Sequence, residues 1–181
     1  MSLVMDSKDI QRSLSRIAQE ILESNDGAER LLLVGIHSGG VPIAKRLAQL
    51  IGDAEGELPA VGEMDITLYR DDLYTGLEKP ILGETKLPTQ LRGVHLVLVD
   101  DVLFTGRTVR AALDEVMDYG RPARIQLAVL IDRGHRELPI AATFVGRRLE
   151  TEMGDKVNVT AASERSPTDC VSIEKAQGGA E

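Results

Sequence analysis

Tryptophan is missing from this 181-residue chain, and the only other aromatic rings are two Phe and three Tyr. A platform that stacks the bases of single-stranded nucleic acid is therefore not expected. Cysteine is scarce too. Cys170 stands alone and cannot close an internal disulfide, which fits a reducing cytoplasm, the expected location. No apolar run approaches the roughly 20 residues that span a bilayer, so no membrane partner is expected. The opening "MSLVMDSKDI" lacks the basic end and apolar segment of a secretory signal. Met5 is a second candidate start, which leaves open whether Met1-Ser2-Leu3 is native. Positive charge is in deficit, with 21 Lys+Arg against 29 Asp+Glu and a net charge of −8. The molecule as a whole repels polyanions and no DNA partner is expected. Any nucleic-acid face has to be a local basic patch. The chain has no Walker loop and no G-x-G-x-x-G fingerprint. Repeats, low-complexity segments and interdomain linkers are also lacking, and 181 residues suit one domain.

The remaining pattern alternates helices with strands. Residues 6–24 put Ile10, Leu14, Ile17, Ala18, Ile21 and Leu22 at helical spacing, and "NDG" ends that helix. "RLLLVGI" (30–36) is a short continuous apolar run, typical of a strand buried on both faces. "HSGG" follows, then a helix over 41–52 with Pro42 near its start. Residues 59–72 alternate and predict a strand or a pair of strands. Residues 73–93, rich in Gly and Pro, read as a long loop or a hairpin with a mobile tip. Then come a strand over 94–99, a helix over 107–119, and a buried strand over 124–132. Shorter strands are expected within 140–149 and 156–162, with a frayed tail at 176–181. Strands alternating with helices predict an α/β fold with a mainly parallel sheet flanked by helices.

Chemistry concentrates in "VDDVLFTGRT" (99–108). Ligands of open α/β sheets bind beyond the carboxyl ends of the strands, and Asp100 and Asp101 fall at such an end. The following turn opens a helix whose first N–H groups are unpaired. Gly106 allows close backbone approach, Thr105 and Thr108 add hydroxyls, and Arg107 adds charge, which together make a phosphate cradle. Carboxylates beside a phosphate need another partner on the same ligand, and vicinal sugar hydroxyls meet that need. The inferred ligand is a ribose 5-phosphate. The alternative is that the two acids and Thr105 merely cap the turn and helix.

The residues 99–114, "VDDVLFTGRTVRAALD", resemble the 5-phosphoribosyl 1-pyrophosphate (PRPP) loop of phosphoribosyltransferases. With "DITLYRDDL" (65–73) and "IQLAVLIDRGHRELPI" (125–140), the chain resembles the PyrR family of pyrimidine-operon regulators and uracil phosphoribosyltransferases over nearly its whole length. The resemblance implies a type I phosphoribosyltransferase fold with a small hood formed by parts of the N- and C-terminal segments. It also implies the reaction uracil + PRPP → UMP + diphosphate with Mg²⁺, with UMP and UTP as further ligands, and a homodimer or higher homo-oligomer.

In those terms Asp100 and Asp101 are the catalytic acids, and Val102, Leu103, Phe104, Thr105, Gly106, Arg107 and Thr108 hold the phosphate. His37, Ser38, Gly39 and Gly40 wrap diphosphate, although this turn lacks the arginine of a Thr-Arg-Gly-like loop. Arg70 is a candidate for the missing charge. An ordinary strand-to-helix turn is the alternative at 37–40. Asp101 and Asp132 are the Mg²⁺ candidates, partly through substrate or water. Arg133, His135 and Arg136 either belong to the site or form a solvated basic loop. Phe104 stands where purine-using relatives place an acid, which argues for a pyrimidine. The family's second activity is UMP-promoted binding of pyrimidine-operon leader mRNA. Candidates for it are Arg12, Ser15, Arg16 and Gln19 on the first helix, with Arg147, Arg148 and Lys156. A solvated helix face is the alternative for these, and a nucleotide sensor without catalysis, or an enzyme without RNA regulation, is the alternative overall.

Overall fold

Strand β2 (Leu31–Ile36) is buried at every residue, and its side chains divide by parity between two separate apolar layers. Leu31 and Leu33 pack with helix α1 (Ser7–Asn25) and helix α2 (Gly40–Glu55), whereas Leu32, Val34 and Ile36 pack with helix α3 (Arg107–Tyr119). A sheet covered on both faces needs continuous apolar strands, which accounts for the unbroken run in the sequence. The computed structural model describes residues 1–69, 84–87, 90–161 and 168–176. Arg70, most of the expected 71–93 loop and the tail beyond Ala176 lie outside the described residues.

The main sheet is parallel, in the order β3-β2-β4-β5-β6, with β3 at Ala60–Met64, β4 at His95–Leu103, β5 at Arg124–Asp132 and β6 at Phe144–Arg148. The chain moves outward to β3 from β2 and outward in the other direction from β4. The ends of β2 and β4 therefore bracket the point where strand order reverses, the usual ligand crevice of such sheets. All six apolar residues expected on one face of α1 are buried. Each is worth about 1.5–3 kcal/mol if Ile or Leu, which anchors that helix to the sheet. Asp6 caps α1 by accepting from the Asp9 N–H at 2.8 Å, and Asp9 accepts from the Asp6 N–H in return.

Several boundaries differ from expectation. β4 extends to Leu103, so Asp100 and Asp101 are strand residues and not the start of a loop. Only β3 forms within 59–69; Ile66–Tyr69 is a 3₁₀ turn. A second sheet, in the order β1-β8-β7, is antiparallel and joins β1 (Ser2–Met5), β7 (Lys156–Thr160) and β8 (Cys170–Glu174). β1 and β8 are too short and too weakly alternating for periodicity to mark them. Each is stabilised by pairing with a strand distant in sequence.

Candidate active site

Pairing between β2 and β4 ends at Gly35–Val99, while β4 continues beside β5 through Leu103. The two acids thus stand on a ledge that β2 does not flank. Asp100 is buried, and its Oδ1 accepts from the Asp101 N–H at 2.9 Å. Asp101 Oδ1 accepts from the Val102 N–H at 2.7 Å. Burial first, then the adjacent Asp101 charge, push the Asp100 carboxyl well above the usual carboxylate range. Neither acid caps α3: Gly106 holds the N-cap position and no side chain bonds there.

The turn at 37–40 fits directly against this ledge. A Cβ on Gly39 would stand 2.1 Å from Asp101 Oδ2, and one on Gly40 would stand 2.0 Å from the Val99 carbonyl oxygen. The two glycines are therefore required by the approach of β4 itself. His37 donates its backbone N–H to Met64 at 2.9 Å, and the His37–Ser38 peptide is cis. The His37 side chain is partly exposed and faces Glu63 across 3.5 Å, and Glu63 also pairs with Lys45 at 2.7 Å.

On the other side of the ledge, Gly106 has φ +94°, the left-handed conformation glycine permits, and α3 starts at Arg107. Thr105 Oγ1 accepts from the Arg107 N–H at 3.4 Å, and Arg107 Nε pairs with Glu137 at 2.6 Å. The rear of this turn is clamped by 133–138. Arg133 N–H donates to Leu103, Arg136 Nη1 to Phe104, and Glu137 and Leu138 N–H to the Thr105 carbonyl. The structure thus places residues 37–40 and 102–108 at the ends of neighbouring strands with the acids between them.

The solvated-loop reading of Arg133, His135 and Arg136 is corrected. Arg133 is buried, its guanidinium lies 4.0 Å from the Phe104 ring centroid, and it donates to the carbonyls of Glu152, Met153 and Asp155. His135 Nε2 lies 2.7 Å from the Thr151 carbonyl, and its ring meets Phe104 edge-on at 6.0 Å. Arg136 pairs with Asp132 at 2.5 Å. Asp132 Oδ1 also accepts from the Gly134 N–H. Arg133 and His135 tie the 104–108 turn to the turn that enters β7, and Arg136 ties it to Asp132 at the end of β5. Charge alone pointed to solvent, because sequence does not show which carbonyls lack partners.

The basic candidates for a nucleic-acid face divide into two groups. Arg16 reaches from α1 to the carbonyls of Val145 and Gly146 at 3.0 and 2.6 Å and pairs with Glu20, while Arg147 donates to the Val4 carbonyl at 2.9 Å. Both guanidiniums also hold elements together. Arg12 is exposed, with only a loose 3.6 Å pair to Asp9; Ser15 takes a weak bond from Gln11. Gln19, Arg148 and Lys156 are exposed. The Arg16 and Arg147 contacts bring α1, β1 and β6 together.

Comparison with known proteins agrees with this geometry. Residues 4–163 match the phosphoribosyl transferase domain family. The chain is 51% identical over 170 residues to the bifunctional protein PyrR of Geobacter sulfurreducens, covering 94% of this chain and 96% of that one. It is 57% identical over 156 residues to the bifunctional protein PyrR of Chloroflexus aurantiacus, covering 86% of each. Among solved structures, it resembles the hypoxanthine phosphoribosyltransferase of Trypanosoma cruzi with a TM-score of 0.74 over 98% of each chain at 16% identity. A hypoxanthine-guanine phosphoribosyltransferase from Bacillus anthracis gives 0.70 over 96% of this chain and 98% of that one at 14% identity. At such identities these two structures speak to the fold alone.

Proposed function

This chain belongs to the phosphoribosyltransferase family, in its PyrR branch, and on that premise we propose that it converts uracil and PRPP to UMP and diphosphate. The observation that carries the reading is the Asp100–Asp101 ledge set between the 37–40 turn and the 104–108 turn. The 5-phosphate binds the N–H groups at the start of α3, with Thr105, Arg107 and Thr108. An incoming phosphate competes with Glu137 for Arg107. The acids receive the ribose diol and face the positive charge that develops at C1 as diphosphate leaves. The desolvated Asp100 gains most from that cation, because its ionised form is otherwise disfavoured. Backbone groups of His37, Ser38, Gly39 and Gly40 receive the diphosphate. The β1-β8-β7 sheet, joined to the phosphate turn through Arg133, serves as the hood.

Mg²⁺ fits the donors present. Among the described residues no cluster of three or more His, Cys, Asp or Glu could cage a metal, whereas Asp101 and Asp132 offer hard carboxylate oxygens. That pattern suits an ion shared between substrate phosphates and one or two carboxylates. Asp101 and Asp132 would hold it, directly or through water, and it would neutralise charge on the departing diphosphate.

The second half of the proposal is binding of pyrimidine-operon leader mRNA by a homodimer in response to UMP or UTP. Arg12, Arg148 and Lys156 supply its phosphate contacts, and Ser15 and Gln19 its polar ones. Support comes from the meeting of α1, β1 and β6 around Arg16 and Arg147. The deciding experiment combines purified protein, PRPP, Mg²⁺ and labelled uracil. Formation of UMP supports the enzyme. Binding of UMP without turnover would replace it with a sensor. A leader transcript retarded more strongly when UMP is added supports the regulatory half.

A further inference from the structure

The 37–40 turn lacks an arginine, and the structure shows why neither of its glycines can be replaced by one. Position 39 faces Asp101 so closely that a Cβ there would stand 2.1 Å from Oδ2 and 2.3 Å from Cγ. A long cation could occupy that position only if the catalytic acid moved. Position 40 is closed in the same way by the Val99 carbonyl. Neither glycine can therefore carry a side-chain donor for a diphosphate at this turn, which leaves His37 and the residues on its rim.

The rim contains such charge, and one carboxylate arranges it. Glu63 lies at the exposed edge of the sheet, on β3, beside Gly35 of β2. Its Oε1 pairs with Lys45 Nζ on the second turn of α2 at 2.7 Å, and its Oε2 lies 3.5 Å from His37 Nε2 on the turn itself. Its backbone is fixed on the other side by a reciprocal pair with Lys86, with N···O distances of 2.9 and 2.7 Å. Lys45 first, then His37 and Lys86, hold the Glu63 carboxyl below its ordinary range. Two basic side chains, Lys45 and His37, thus reach one acid in a chain whose net charge is −8, while Lys86 meets it through the backbone and pairs its ammonium with Glu84. Lys45 and His37 remain partly exposed, so an incoming anion can reach them.

We propose that Glu63 is a positioning residue that gathers the His37 imidazole and the Lys45 ammonium into the side-chain anchor for diphosphate, in place of an arginine on the 37–40 turn. The inference rests on the phosphoribosyl-transfer reading of the site and adds the residues that grip its leaving group. A pair of donors held in place before the anion arrives avoids the cost of ordering two flexible side chains on binding. Lys86 holds the Glu63 backbone through its reciprocal pair, so Glu63 has little freedom to follow its partners away.

The test measures binding of inorganic diphosphate with Mg²⁺ by calorimetry, alongside KM and kcat in both directions. His37→Ala and Lys45→Met are each expected to weaken diphosphate binding about tenfold, the scale of one charge-assisted contact at a part-exposed site. KM for PRPP should rise with it, while UMP affinity and KM for uracil hold steady. Glu63→Gln should weaken diphosphate several-fold in the parent but add little in the His37→Ala/Lys45→Met background, and Glu63→Asp should recover part of the loss. Diphosphate affinity unchanged by Glu63→Gln, or an equal loss of UMP affinity, would overturn the assignment. So would full additivity of Glu63→Gln with the double variant. Parent protein that binds diphosphate with this variant pattern but makes no UMP would sink the transferase reading and leave the anchor standing. A parent that binds no diphosphate would sink both.

Discussion

The Arg133 guanidinium lies 4.0 Å above the Phe104 ring and is held there by three backbone carbonyls from the turn that enters β7. Among the described residues no side-chain carboxylate pairs with it, and its Nε has no hydrogen-bond partner. Burial pulls its pKa below the ordinary arginine value. Replacement by Met keeps the stem and the ring contact but leaves the carbonyls of Glu152, Met153 and Asp155 short of donors. Arg133→Met should cost about 3 kcal/mol of folding stability, as expected for orphaned buried polar groups. Urea unfolding checks this, and a loss below about 0.5 kcal/mol would mean the turn finds water instead.

Gly39→Ala tests the contact with the Asp100–Asp101 ledge. The added methyl needs space now filled by the Asp101 carboxylate, so the acid or the turn has to shift. Turnover should fall roughly a hundredfold, the scale expected when a reacting group is displaced by about an ångström. Thermal unfolding should fall less steeply than turnover, because the group displaced is the end of the Asp101 side chain and not backbone. Near-parental turnover would show that the two groups move apart freely.

Asp155 gives a stability contribution that depends on acid pH. Lys175 first, then the Glu152 N–H and the Ala176 N–H, hold its carboxyl down at about 2, against an ordinary 3.8. The folded state therefore binds the proton less readily than the unfolded chain. Its contribution is complete above about pH 4 and is lost as pH falls through about 2. Asp155→Asn should melt lower than the parent at neutral pH, with the difference closing as the pH drops across that window. A difference that persists at the acid end would place the effect in packing and not in charge.

Asp100 has the opposite sign. Its folded-state carboxyl is raised by burial and by Asp101, so the folded state binds the proton more readily than the unfolded chain. Stability falls as pH rises through the raised value, and the penalty is complete above it. Asp100→Asn should therefore raise the melting temperature at neutral pH while lowering turnover, and the stability gain should disappear near an ordinary carboxylate pKa of 3.8. A variant that melts lower at neutral pH would show that the carboxylate is already well compensated.

The arginines of the RNA candidate face should separate by structural role. Arg12→Ala with Arg148→Ala should weaken leader-RNA binding and flatten its salt dependence while leaving the unfolding midpoint unchanged. Arg16→Ala should also cost about 1–2 kcal/mol of stability, since it gives up the bonds to Val145 and Gly146. Gel shifts at two salt concentrations and urea melts read both. If the double variant keeps full RNA affinity, this face is not the binding surface.

Much of the site was legible in the sequence, because the acid pair, Gly106 and the helix start are contiguous and each carries a local rule. The same holds for α1, whose apolar spacing maps directly onto buried positions. Glu63, Lys45, Arg133 and Asp155 were not legible. Each acts on a partner distant in the chain, and an Arg that binds three carbonyls looks the same in sequence as one in water. β1 and β8 escaped for a related reason, since each forms only beside strands distant from it in sequence. The glycines at 39 and 40 were read as freedom to wrap an anion, whereas the structure shows them also as clearance for β4.

The 37–40 and 104–108 turns leave from β2 and β4, neighbouring strands whose chains then run apart on opposite sides of the sheet reversal. On the proposed reading, bond cleavage between the acids leaves each fragment with its own holder. The nucleotide stays with the beginning of α3 and the inorganic fragment with the beginning of α2. Neither departure has to wait for the other's grip to loosen, so the order of release is set by two separate affinities that mutation can tune one at a time.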